Sequence, residues 1–178
     1  MLAASWEAFQ PSDPTINDPT DYEELPEMDE RLVTRVLALE QVDLFAGLSV
    51  DDVTAIAGIA EDLHAKPGHV LYRQGEPGDA LFVLVEGRVR LEESGRHLLV
   101  HESGESFGQV SFLDRGPRPT TAIVTDDPGG AELIVINNEA FMDLVVDRPG
   151  LTRGVFSVLG QRLRLLIELQ GGRDRRTG

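Results

Sequence analysis

The run FGQVSFLDRGPRPTTA, residues 107–122, holds the residue types in this chain best suited to capturing an anion. Gly108 lets a ligand approach the backbone with no side chain in the way. The short apolar segment from Gln109 through Val110 and Ser111 to Leu113 has the length of one helical turn, whose opening N–H groups lack intrahelical acceptors and suit negative charge. Arg118 stands between Pro117 and Pro119, so its backbone is constrained, and its planar guanidinium matches paired phosphate oxygens in a way that lysine does not. A phosphodiester brought here would have its charge answered. In a chain with 31 acidic residues the same arginine also reads as the ion-pair partner of a carboxylate, and the run itself does not decide between the two.

Other chemistries have less to stand on. His97 and His101 are four apart, but HLLVH reads as a strand, where residues at that spacing share a face about 13 Å apart, too far to share one metal ion. With His64 and His69 they read as surface histidines, and no metal is expected. GEPGD, ending at Asp79, has too few regularly spaced acidic oxygens for a calcium loop and reads as a turn. The chain has no Gly-x-Ser-x-Gly, no Walker loop and no cysteine, and Ser111 has no histidine nearby in sequence to activate it. The expectation is a protein that is not an enzyme.

A length of 178 residues with 41% hydrophobic content suits one domain plus a tail. A formal charge of -15 and a pI near 4.5 leave no electrostatic footprint for direct nucleic-acid binding. The lack of cysteine removes disulfides and thiolate metal sites and fits a reducing compartment. MLAASWEAFQPSDPT lacks the basic and apolar regions of a signal peptide, and no stretch approaches the roughly 18 apolar residues of a membrane span. A soluble, cytoplasmic protein is expected.

The elements that must position the run are legible in outline. Residues 1–30 carry nine acidic residues, no lysine or arginine, and four prolines; they read as an acidic disordered tail, with Trp6 and Phe9 leaving a docking role open. From Arg31 the pattern turns helical, with Leu32, Val36 and Leu39 in register, and Ser49 caps a second helix that carries Val53, Ile56, Ala57 and Ala60 on one face. The period then becomes two, with glycine turns about every ten residues: HVLYR, ALFVLVE, RVRLEES, HLLVHES, TAIVTDD and AELIVIN are strand-like. A helix from about Leu151 to Gln170 closes the domain, residues 31–170, ahead of a flexible C terminus, 171–178. The expected fold is α+β, a jelly-roll-like antiparallel β-roll of about eight strands with flanking helices and a short helix over the run.

In this order and spacing, LFAGLS, GHVLYRQGEPGDALFVLVEGRVRL, FGQVSFLDRGPRPTTA and a closing helix resemble the cyclic nucleotide-binding domains of catabolite activators, protein kinase regulatory subunits and nucleotide-gated channels, over residues 44–169. The resemblance implies a regulatory or sensor module that binds a cyclic nucleotide, cyclic AMP first, in a phosphate-binding cassette. It assigns Arg118 and residues Gly108, Gln109, Val110 and Ser111 to the phosphate and ribose, and the last helix to covering the base. Two positions depart from the family pattern. Gln109 stands where the family usually has glutamate facing the ribose 2′-hydroxyl, and can accept through its amide oxygen. Pro119 follows the cassette arginine where the family usually offers a backbone N–H to the phosphate, and proline has none; Thr120 and Thr121 are the nearby hydroxyls able to compensate.

The competing expectation is a domain that keeps the fold without the ligand, as a scaffold or interaction module, or as the regulatory domain of a larger protein. Phe156, Leu159, Leu163 and Leu166, widened by Val155, Val158, Ile167 and Leu169, make an apolar stripe broad enough for a second copy, so a homodimer through the last helix is expected. With eight residues after Gln170, no helix-turn-helix is expected, and an effector protein is implied without being identified.

Overall fold

The computed structural model describes residues 29–174; residues 1–28 of the acidic tail and the last four residues lie outside them, while Asp29 and Glu30, assigned to the tail, cap and open the first helix. Two helices lead in, α1 (Glu30–Glu40) and α2 (Val50–Ile59), joined through a 3-10 turn at Asp43–Phe45. Ser49 caps α2 by accepting the Asp52 N–H, with Asp51 and Asp52 in the first turn where the helix dipole favours acid. Eight strands follow: β1 (Glu61–Ala65), β2 (Val70–Tyr72), β3 (Ala80–Glu86), β4 (Val89–Glu93), β5 (Arg96–His101), β6 (Ser106–Phe107), β7 (Thr121–Val124) and β8 (Ala131–Asn137). The helix α3 (Gln109–Asp114) interrupts them between β6 and β7, and α4 (Asn138–Asp147) and α5 (Pro149–Asp174) close the chain.

The strands form two antiparallel four-stranded sheets, β1-β8-β3-β6 and β2-β7-β4-β5. Period-two alternation in β3 explains the layering, because both of its faces are covered. Leu81 and Val83 join Leu39, Phe45, Ile56, Ile134, Ile136 and Phe141 in a core beneath the helices. Ala80, Phe82 and Leu84 face the opposite way, between the sheets, with Tyr72, Val89, Leu91, Phe107, Ala122 and Leu133. The architecture is the expected α+β roll.

Four local expectations change. EDLHA is strand β1, paired with β8 from Glu61↔Val135 to Ala65↔Ala131, although it follows the helical pattern without a turn signal; Ala60 ends α2 in extended backbone, at φ -81 and ψ 151. Strand β6 has two residues, too few for any periodicity to show. The last helix continues to Asp174, so residues 171–174, assigned to a flexible C terminus, are helical. Finally, His97 and His101 do not share a face. The β4–β5 register shifts between Leu91 and Glu92, pairing Val89 with His101 and Glu92 with His97, and a bulge reverses which side chains point inward. His101 is accordingly largely covered and stacks on Phe107 at 5.3 Å between ring centroids, rather than lying on the surface.

Candidate anion-binding site

Residues 107–122 run from the end of β6 through α3 to the start of β7. Gly108 adopts φ 81 and ψ 7, the left-handed conformation that glycine enters without strain, and caps α3. The Phe112 N–H donates to the Gly108 carbonyl at 3.0 Å, so the N–H groups of Val110 and Ser111 before it have no intrahelical acceptor. Phe112 anchors the helix from below: it is fully buried and meets Phe141 of α4 at 5.1 Å.

The segment carrying Arg118 is zipped to the loop before β3. Arg118 N–H donates to the Glu76 carbonyl at 2.7 Å, its carbonyl accepts the Gly75 N–H at 2.9 Å, and the Gly78 N–H donates to Gly116 at 3.0 Å. Pro77 and Pro117 face each other in the isolated bridge between these segments. The arginine is therefore held by a β-like pairing whose stiffest residues are the two prolines.

Its side chain runs inward and is 3% exposed. The guanidinium donates from Nη1 to the Gly108 carbonyl at 3.0 Å and from Nη2 to the Ala80 carbonyl at 2.7 Å. It lies over the Tyr72 ring, 4.3 Å from its centroid, and 5.7 Å from that of Phe82, positions that allow cation–π attraction. Nε is buried with no acceptor. Among the described residues no carboxylate forms an ion pair with Arg118. Burial pulls its pKa below the ordinary arginine range, with Tyr72 and the more distant Asp79 and Glu76 pulling back; a guanidinium nonetheless stays protonated at physiological pH. Among the described residues the ion-pair reading of Arg118 therefore finds no partner, and the side chain is a buried cation satisfied only in part, by neutral carbonyls.

The packing is tight enough to dictate two glycines. A Cβ on Gly78 would lie 2.1 Å from Ser111 Cβ, and one on Gly108 would lie 2.6 Å from Arg118 Nη1. Ser111 is buried and donates its hydroxyl to the Pro117 carbonyl at 3.3 Å. Gln109 donates its side-chain N–H to Ser106 Oγ, which leaves the amide oxygen directed away from that contact. The Val110 side chain is exposed, so only its backbone can serve. Thr120 is buried beside Tyr72, whose phenol is raised by burial and lowered by the Thr120 hydroxyl and the Arg118 charge. Thr121 Oγ1 accepts the Gln74 N–H at 3.0 Å. Both threonines thus have partners within the fold.

Sequence reading missed the platform beneath the arginine: Tyr72, Phe82 and Phe107, with Phe82 and Phe107 stacked at 5.3 Å, and the carbonyls of Gly108 and Ala80. Aromatic residues at inward strand positions look like ordinary core, and a backbone carbonyl carries no sequence signature. Among the described residues no group of three or more metal-ligating side chains is gathered together, and no helix is long and apolar enough to cross a membrane.

Residues 62–148 match the family model for the cyclic nucleotide-binding domain. A CRP-like cAMP-activated global transcriptional regulator of Mycobacterium tuberculosis is 28% identical over 131 residues, covering 71% of this chain and 57% of the regulator. A cGMP-dependent protein kinase of Caenorhabditis briggsae is 31% identical over 115 residues, covering 61% of this chain and 15% of the kinase. The chain thus corresponds to little more than half of the first relative and a small part of the second. Among solved structures, the N-terminal domain of a transcriptional regulator from Streptomyces coelicolor A3(2) superposes with a TM-score of 0.66 at 26% identity, covering 72% of this chain and 94% of that domain. With an arginine facing a glycine-capped turn in an eight-stranded roll, the chain carries a cyclic nucleotide-binding domain over residues 62–148, homologous to the CRP-like regulators and to the regulatory domains of cyclic nucleotide-dependent kinases.

Proposed function

We propose that this chain is a non-enzymatic regulatory or sensor module that captures a cyclic nucleotide, cyclic AMP foremost, on Arg118 and the turn at residues 108–111. One observation carries the reading: a guanidinium 3% exposed, with an unpaired Nε and no carboxylate partner among the described residues. A buried cation in such a setting is costly, and a phosphate is the anion its planar fork fits best. Gln109 would meet the ribose through its amide oxygen. The choice of cyclic AMP follows the mycobacterial relative, which is named for its activation by that nucleotide and shares the longer alignment; the nematode kinase is named for cyclic GMP.

Pro119 tempers the affinity. A missing N–H toward a charged group costs about 1.5–3 kcal/mol, or roughly one to two decades in Kd. The same residue favours the second reading, a domain that keeps the roll as a scaffold after losing its ligand. Calorimetry with cyclic AMP, cyclic GMP and cyclic di-GMP separates the two: saturable heat with a cyclic mononucleotide is expected, and none with any of the three would establish the scaffold.

Self-association through α5 belongs to the same proposal. Leu151, Val155 and Val158 are buried against the domain, whereas Phe156, Leu163 and Ile167 are 69%, 60% and 59% exposed. Their spacing of seven and four residues places them along one side of the helix, and a second copy would cover them. Sedimentation should show a concentration-dependent dimer that Leu163→Glu converts to monomer; an unchanged dimer would place the contact elsewhere.

A further inference from the structure

Asn138, the first residue of α4, is fully buried. Its backbone N–H donates to the Asp79 carbonyl at 2.6 Å, and its side-chain Nδ2 donates to the Phe112 carbonyl. The two acceptors lie in the two segments that hold Arg118. Asp79 immediately precedes Ala80, whose carbonyl receives Nη2. Phe112 donates its own N–H to Gly108, whose carbonyl receives Nη1. The links form a closed circuit: Asn138 grips the loop before β3 with its backbone and α3 with its side chain, and Arg118 bridges the same two segments from the other side.

The third polar group of Asn138 argues against a filler role. Oδ1 is buried with no donor, and an amide oxygen in that state is unfavourable where an apolar side chain of similar volume would avoid the cost. An aspartate would set a carboxylate against the Phe112 carbonyl, so only a donor serves at this place. The donor ties α3 to the start of α4 through a bond that neither element's own backbone supplies.

We infer that Asn138 is a positioning residue for Arg118, fixing the separation of the Gly108 and Ala80 carbonyls and so the direction in which the guanidinium faces a phosphate. The ligand half of this statement rests on the proposed cyclic nucleotide reading; the positional half does not. Asn138 touches no ligand in this scheme and acts through the two carbonyls.

The test uses the full chain without ligand and follows the arginine Nε–H resonances by nuclear magnetic resonance, with Arg118 assigned by its disappearance in Arg118→Lys. In Asn138→Leu the Arg118 Nε–H should shift and exchange with water at least tenfold faster, while the Arg35 Nε–H, bonded to Asp62 at 2.9 Å, stays as in wild type. A folded Asn138→Leu with an unchanged Arg118 resonance would overturn the inference. Asn138→Ala serves as the second variant; failure of both to fold would also overturn it, by making Asn138 a general stability residue. With cyclic AMP present, Asn138→Leu should weaken binding about tenfold. Absence of binding in the wild type would sink the ligand reading, and the exchange measurement would then decide the positional one.

Discussion

Two arginines in this domain meet opposite electrostatic fates, one at the site and one at the junction of α1 with the roll. Arg35 donates from Nε and Nη2 to the two oxygens of Asp62 at 2.9 and 3.0 Å and from Nη1 to the Ala57 carbonyl at 3.3 Å. Its charge is answered inside the protein, in a planar two-bond pair near water, and the pair fastens α1 to β1. Arg118 is more deeply buried, yet among the described residues it is met by carbonyls and aromatic faces and by no carboxylate. On the proposed reading the difference separates a structural cation from a ligand-binding one: burial without a counter-ion among the described residues is a cost that an incoming anion would offset.

The largest expected effect comes from erasing the functional member of the pair. Arg118→Ala should lower cyclic nucleotide affinity by about a hundredfold or more, on roughly 1.5–3 kcal/mol for each charge-assisted bond lost. Its stability should stay within about 1 kcal/mol of wild type, because release of a buried charge offsets the two lost hydrogen bonds. Calorimetry and urea unfolding read these separately; a large stability loss with unchanged binding would reverse the roles assigned to the two arginines.

Pro119→Ala sharpens the comparison from the other side. It restores the backbone N–H after the arginine that the proposed reading directs at the phosphate, and affinity should rise by about tenfold. If wild type shows no binding and this variant does, the fold is intact and the proline alone silences the site. If neither binds, the scaffold reading stands.

The smallest effect belongs to Arg35. The Asp62 carboxyl is held below its ordinary range by hydrogen bonding to Arg35 and then by that residue's charge. The native state therefore binds fewer protons there than the unfolded chain, and the stabilisation is full above the ordinary carboxyl pKa of about 4 and lost as pH falls through the lower native value. Because Asp62 is largely exposed, the contribution should be at most about 1 kcal/mol. Asp62→Asn should remove it from urea unfolding at pH 7 and flatten the acid limb, leaving nucleotide affinity unchanged; a change in affinity would show that the α1 junction communicates with the site.

The chain's local signals went far because most of its elements are local decisions. The short apolar runs ALFVLVE and AELIVIN mark β3 and β8 residue for residue, since a strand covered on both faces reads as a nearly continuous apolar run bounded by turns. Ser49 announces α2 by a cap that needs only its own neighbours, and the αL glycine and apolar turn at 108–113 mark α3 in the same way. Arg118 could be named from its surroundings in the sequence.

What Arg118 does with its charge was beyond any local reading. Whether one of the chain's many carboxylates reaches it depends on which loops the two sheets bring together, and the fold delivers the carbonyls of Gly108 and Ala80, ten and 38 positions away. The β5 bulge that turns His101 inward and the strand character of EDLHA were likewise settled by pairing with distant strands. Residue types determined which groups could bind an anion and where the chain would turn. Only the tertiary structure, by enclosing Arg118 without a counter-charge among the described residues and pairing Arg35 with Asp62, decided which arginine has its charge answered within the fold, because the electrostatic environment of a side chain is set by its neighbours in space and the surrounding dielectric, not by its neighbours in sequence.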